Sequence, residues 1–86
     1  MRQYVILIEK GEDNFGAYAP SLPGCVSVGK TRQEAIDNMY EAILFHLDGM
    51  LHHGEAIPDE DLEAVTLVVP EPGSYILQDV IEVVKT

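Results

Sequence analysis

The sequence contains one cysteine, Cys25, no tryptophan, and only five basic residues against fifteen acidic ones. A single cysteine cannot form an internal disulfide or build a Cys/His metal cluster. No apolar run approaches the ~20 residues that cross a bilayer, and the N-terminus lacks the pattern of a signal peptide. We therefore expect a cytoplasmic protein without a membrane segment, a disulfide, a metal or another cofactor.

The acidic charge is unevenly distributed along the chain. The net charge is -10, and residues 1–33 carry four basic and three acidic residues, whereas residues 34–86 carry one basic and twelve acidic residues. Such a surface repels phosphate groups, so direct binding to nucleic acid or to an anionic membrane is not expected. A basic partner protein is the natural complement.

The length of 86 residues predicts one domain covering residues 1–86, and a hydrophobic content of 47% excludes a disordered chain. The first third is rich in β-forming residues separated by turn residues. It predicts three short strands, at residues 2–9, 15–19 and 25–28. Pro23-Gly24 fits the centre of a type II turn before the third strand.

A long helix is predicted to begin at Thr31. Thr31 and Glu34 have the spacing of a capping box, and Gly54 is typical of a helix C-terminus. The apolar residues between them recur every three or four positions and should face the sheet. They are Ile36, Met39, Tyr40, Ile43, Leu47, Met50 and Leu51.

The pattern after the helix is weaker. Residues 57–62 indicate a loop, residues 65–69 a possible strand, and residues 75–84 a final β-rich stretch. The predicted fold class is therefore α+β: a three-stranded antiparallel sheet, one long amphipathic helix and further C-terminal strands, in two layers. Residues 4–8 are apolar on both faces of the first strand, which favours a homo-oligomer.

The residues give little support for an enzyme. Cys25 has no histidine near it in the sequence, and it fits a small buried hydrophobic position. The histidines, at 46, 52 and 53, lack zinc-binding spacing and fit a helix end or surface. The weakest hypothesis is a metal-dependent nuclease that uses Glu9 and Asp13, because acidic residues in loops are usually exposed to solvent and bind no metal.

One face of the helix is a candidate partner-binding site. Asp37, Glu41, Phe45 and Asp48 fall in a narrow stripe opposite the apolar sector, without a basic residue among them. An aromatic side chain within a ring of one charge is a plausible binding anchor. The alternative is an ordinary solvated helix face, with Phe45 buried in a self-association contact.

The central part of the sequence resembles the HicB-like antitoxin family. The resemblance rests on the run AYAPSLPGCVSVGKT over residues 17–31, followed in register by Glu34-Ala35, Asn38 and Glu41-Ala42-Ile43, and it covers residues 2–53. It implies a β-β-β-α-β fold like a truncated ribonuclease-H core without the catalytic carboxylates. It also implies binding to HicA, a small basic toxin that cleaves messenger RNA, by covering the toxin's active site.

Two features depart from the family pattern. Many members carry a C-terminal DNA-binding domain, which this sequence does not show before Thr86, and residues 56–72 are longer than the compact form. Our first hypothesis is an antitoxin that neutralises a basic toxin without covalent chemistry. The rival hypothesis is a stand-alone oligomeric scaffold or small-ligand-binding protein with no cognate toxin.

Overall fold

A computed structural model describes residues 1–78 of the chain. Its elements are β1 (Leu7–Lys10), β2 (Phe15–Tyr18), β3 (Val26–Gly29) and α1 (Arg32–His52). The strands form an antiparallel sheet in the order β1-β2-β3. The predicted three-stranded sheet and single long helix are confirmed. None of the helices in residues 1–78 is both long and apolar enough to span a membrane.

The first strand is shorter than predicted, beginning at Leu7 rather than at residue 2. Leu7 pairs with Tyr18 in the β1–β2 register, and beyond Tyr18 the chain turns away at Pro20. The backbone before Leu7 therefore has no β2 partner. Its Val5 N–H donates instead to a carboxylate oxygen of Glu60, 2.7 Å away.

The turn before β3 has the predicted geometry. The Cys25 N–H donates to the Leu22 carbonyl oxygen at 3.0 Å, and Gly24 has φ +84°. This conformation at the third residue of a turn is the one that type II turns require and that glycine tolerates best. The tight reversal buries Leu22 and Cys25 in the core.

Both ends of α1 follow the sequence signals. The Thr31 hydroxyl accepts a hydrogen bond from the Glu34 N–H at 3.0 Å. At the other end, Gly54 has φ +70°, its N–H donates to the Leu51 carbonyl, and the Glu55 N–H donates to the Met50 carbonyl. These are the paired bonds of a Schellman motif, which satisfy carbonyls left free at a helix end.

The helix is rotated relative to the predicted orientation. Its buried residues are Ala35 and Met39, whereas Tyr40 and Leu51 are 67% and 70% exposed. The prediction that these last two face the sheet is therefore wrong. Small residues explain the difference: Gly29 and Ala35 allow α1 to pack closely on β3, so that Ala35 faces the sheet while Tyr40 and Leu51 stay exposed.

The core consists of four residues from the sheet and the turn before β3, together with two residues of the helix. Its members are Ala17, Ala19, Leu22, Cys25, Ala35 and Met39. The helix packs most extensively on β3 and least on β1. The β1 side of the two layers is therefore open.

The described C-terminal part does not extend the sheet. Every residue from 61 to 78 is exposed, and within the described chain neither 65–69 nor 75–78 forms the predicted strand. The remainder of the final β-rich stretch, 79–84, lies outside the described residues. The radius of gyration is 18.4 Å, against about 12 Å for a compact domain of this length. The apolar residues of this segment are therefore not covered by the part of the chain that the structure describes.

Candidate binding surfaces

The predicted acidic site lies on the solvent side of α1. Asp37, Glu41, Phe45 and Asp48 are all exposed on one face, and Phe45 is 83% exposed. We call these four residues the acidic stripe. Of its carboxylates, Asp37 accepts a hydrogen bond from the Gln33 side chain at 2.9 Å. The salt bridge found among residues 1–78 is Arg2–Asp59, so no basic side chain in that range pairs with the stripe.

Two side-chain bonds fix the rotation of α1 and so determine where the stripe points. The Ser27 hydroxyl donates to the Ala35 carbonyl at 2.8 Å, and the Asn38 amide donates to the Val28 carbonyl at 2.8 Å. Both bonds join the helix to β3. Sequence analysis did not assign these roles, although Asn38 is part of the family motif.

An apolar groove lies between β1 and α1, where the helix leaves the sheet uncovered. Its volume is about 570 Å³. Tyr4, Ile6 and Ile8 form one wall, and Arg2 and Arg32 also line the groove. The helix wall consists of Ile36, Met39, Tyr40, Ile43, Leu44 and Leu47. Tyr40, which was predicted to face the sheet, lies here with Leu44, and both side chains are exposed.

A carboxylate holds the start of the C-terminal segment against the body of the protein. One oxygen of Glu60 accepts from the Ser21 hydroxyl at 2.6 Å and from the Leu62 N–H at 2.8 Å, and the other accepts from the Val5 N–H. These bonds, led by that from Ser21, lower the pKa of the Glu60 carboxyl below its usual value.

The neighbouring Pro58 and Asp59 reinforce this attachment. The Tyr4 hydroxyl donates to the Pro58 carbonyl at 2.5 Å, and Arg2 pairs with Asp59 at 2.7 Å. Sequence analysis missed this attachment because the run Asp59-Glu60-Asp61 looks like a solvated acidic loop. The partners of Glu60 are 39 and 55 residues away, so no local pattern identifies them.

Cys25 and His53, which were also considered as reactive or metal-binding residues, have structural roles. Cys25 is buried in the core, as predicted, and burial raises the pKa of its thiol, which disfavours the reactive thiolate. His53 caps the helix: its N–H donates to the Gly49 carbonyl at 3.1 Å, and its ring Nδ1 lies 2.7 Å from the same oxygen. Residues 1–78 bring together no group of three potential metal ligands.

Comparison with known proteins gives a consistent family assignment. A UPF0150 protein of Thermoplasma acidophilum is 38% identical over 66 residues, which cover 76% of this chain and 96% of the relative. A UPF0150 protein of Synechocystis is 40% identical over 60 residues, covering 69% of this chain and 76% of the relative. An uncharacterised 14.9 kDa protein of Haemophilus phage HP1 is 39% identical over 74 residues, or 86% of this chain and 56% of the relative.

No solved structure matches the chain. The family model that matches residues 4–83 is described as the HicB-like antitoxin of the bacterial toxin–antitoxin system. The matched range contains the sheet, the helix, the acidic stripe and the Glu60 attachment. The chain belongs to the HicB-like antitoxin family.

Proposed function

We propose that this chain is an antitoxin that binds a small basic toxin of the HicA type and blocks its cleavage of messenger RNA by covering the active site. The acidic stripe carries the proposal. It presents three carboxylates, which have no salt-bridge partner among residues 1–78, around an exposed aromatic ring on one helix. A ribonuclease binds a polyanion, so an acidic protein surface complements its active site.

The two parts of the stripe have different roles in this proposal. The carboxylates of Asp37, Glu41 and Asp48 attract and orient the basic partner, which raises the association rate and makes it sensitive to salt. Phe45 supplies the apolar contact. Aromatic residues buried at the centre of an interface commonly contribute about 2 kcal/mol or more to binding.

The remaining features of the proposal concern the protein's form. We propose that residues 1–86 act as one HicB-like domain, cytoplasmic and homo-oligomeric, without catalytic activity or direct nucleic-acid binding. Residues 65–69 would form a further strand when they are paired, giving the β-β-β-α-β order of a truncated ribonuclease-H core. Support comes from the family membership and the apolar character of this segment.

A second candidate function is supported by the apolar groove. A volume of about 570 Å³ lies within the range of small-ligand sites. A stand-alone scaffold or small-ligand-binding protein with no cognate toxin would use this groove and not the acidic stripe. The two functions therefore predict different sensitive residues.

The experiment compares three tagged baits in a lysate of the source organism at low salt. They are the unchanged chain, a stripe variant (D37N, E41Q and D48N) and a hairpin variant (E9Q, E12Q and D13N). Both variants remove three exposed carboxylates, so they carry the same charge change at different places. The hairpin variant is thus a matched control for net charge.

We expect the unchanged chain and the hairpin variant to retain one small basic protein that raised salt releases. The stripe variant should bind it about 3- to 150-fold more weakly, because three exposed ion pairs are lost and each contributes roughly 0.2–1 kcal/mol. The absence of a basic partner from every bait would refute the antitoxin proposal. Equal loss from both variants would show that net charge, not the stripe, controls binding.

A further inference from the structure

An exposed apolar segment leaves the body of the protein after Glu60. We call residues 61–78 the arm; all of them are exposed. Within the arm, residues 65–69 form a short run that is typical of a strand, Val-Thr-Leu-Val-Val, in which Val68 is 96% exposed and Leu67 79% exposed. A contiguous apolar run of this kind usually marks an interaction surface.

The same chain has an open site of matching shape. β1 pairs with β2 on one side, and none of residues 1–78 pairs with its other edge. Beside that edge, Tyr4, Ile6 and Ile8 line the apolar groove at two-residue spacing. Unpaired edges next to apolar surface are templates for an added strand.

We propose that residues 63–69 of one copy pair with the open edge of β1 and fill the apolar groove of a second copy, in a reciprocal exchange that forms a two-fold symmetric dimer. Val65, Leu67 and Val69 share one face of a strand, with the same two-residue spacing as Tyr4, Ile6 and Ile8. Each set spans five residues, so the three side chains of the arm can contact the three side chains of the groove one to one.

Charge favours the arm as the occupant of the groove. Arg32 lines the groove and has no salt-bridge partner among residues 1–78, whereas Arg2 already pairs with Asp59. On the arm, Glu63 and Glu71 flank the apolar run. No basic residue occurs between Arg32 and Lys85. A basic protein would meet the like charge of Arg32 here, but the acidic arm meets opposite charge.

The arm does not fill the groove of its own copy, because none of residues 61–78 lines that groove. The Glu60 attachment fixes the start of the arm beside Val5, and the Leu62 N–H donates to the same carboxylate. From this point the arm leaves the body, and the radius of gyration of 18.4 Å exceeds the roughly 12 Å of a compact domain. A two-fold exchange buries two arms and two grooves by the same contacts.

The exchange is independent of what the acidic stripe binds. It uses the β1 side of the helix and leaves the stripe free on each copy. The exchange rests on the homo-oligomer proposed above, so a monomeric chain would refute both, but it would not affect toxin binding by the stripe. The dimer can be measured with the purified chain alone.

The first test is sedimentation of the purified chain and two variants, L67D and L77D. Both leucines are exposed arm residues and receive the same change, but only Leu67 lies in the proposed strand. We expect a dimer for the unchanged chain and for L77D, and at least about tenfold weaker dimerisation for L67D. A monomeric unchanged chain, or an L67D variant that dimerises normally, would overturn the exchange.

The second test distinguishes exchange from pairing within one chain. A dimer mixed from isotope-labelled and unlabelled copies is examined for nuclear Overhauser contacts that cross between copies. We expect contacts from the Leu67 methyl groups to the Ile6 and Ile43 methyl groups of the other copy. Contacts found only within one copy would overturn the proposal. It would also be overturned if no contacts were found because a copurified small molecule occupies the groove.

Discussion

Replacing Gly29 with alanine tests how closely the helix packs on the sheet. A Cβ atom at residue 29 would lie 2.4 Å from the Ala35 nitrogen, 2.8 Å from the Glu34 carbonyl carbon and 2.9 Å from the Ala35 Cα. All three are backbone atoms in the first turn of α1. No side-chain rotation can relieve the overlap, so the helix must move away from β3.

The structure indicates a large effect for so small a change. Extra methyl groups in a well-packed site usually cost about 1–3 kcal/mol. Gly29→Ala should reach about 3 kcal/mol, because moving α1 also strains the bonds from Ser27 and Asn38 that hold it to β3. This is a substantial part of the 5–15 kcal/mol that stabilises a typical domain.

The assay is urea unfolding followed by circular dichroism at one fixed protein concentration. Gly16→Ala is the matched control, because a Cβ at Gly16 would meet only the Ser27 carbonyl oxygen, at 3.9 Å. We expect Gly16→Ala to stay within about 1 kcal/mol of the unchanged chain. If Gly29→Ala were as stable as Gly16→Ala, the close packing of α1 on β3 described above would be wrong.

The remaining predictions concern the helix cap and the Glu60 attachment. Thr31→Ala should lower the stability measured by thermal unfolding by about 1 kcal/mol, because it removes the acceptor for the Glu34 N–H. Thr31→Ser keeps a hydroxyl acceptor and should therefore keep most of this stability. Equal losses of stability in the two variants would contradict a hydroxyl cap. The Val5 amide resonance should follow titration of the Glu60 carboxyl. Since the folded-state pKa of Glu60 is lowered, its bonds stabilise the fold above the unfolded-state pKa and are lost as the pH falls through the folded-state value. Glu60→Gln should remove the pH dependence of the Val5 resonance. A midpoint of that pH dependence at or above the ordinary glutamate pKa would refute the lowered pKa of Glu60.

Features set by adjacent residues could be predicted from the sequence. The Thr31 cap, the turn at Pro23-Gly24 and the helix end at Gly54 each depend on bonds that span at most five residues. Their residue types are chosen by backbone conformation, not by tertiary contacts. The acidic stripe was also placed on a single exposed face, because helical rotation alone determines its direction.

Features set by distant contacts could not be predicted in this way. The rotation of α1 depends on Gly29 and Ala35 meeting across two elements, and apolar periodicity alone centred the buried face on larger residues. The Glu60 attachment depends on bonds to residues far earlier in the chain. The apolar run at residues 65–69 has strand composition, but a strand forms only when another strand supplies its hydrogen bonds.

The most direct test of the antitoxin account is growth of cells that express the captured basic protein. The cells also express the unchanged chain, the stripe variant or the hairpin variant, each at matched levels. The account predicts arrest without the chain, growth with the unchanged chain and the hairpin variant, and arrest with the stripe variant. Growth arrest that the unchanged chain fails to relieve, or a basic protein that is harmless when expressed alone, would contradict it.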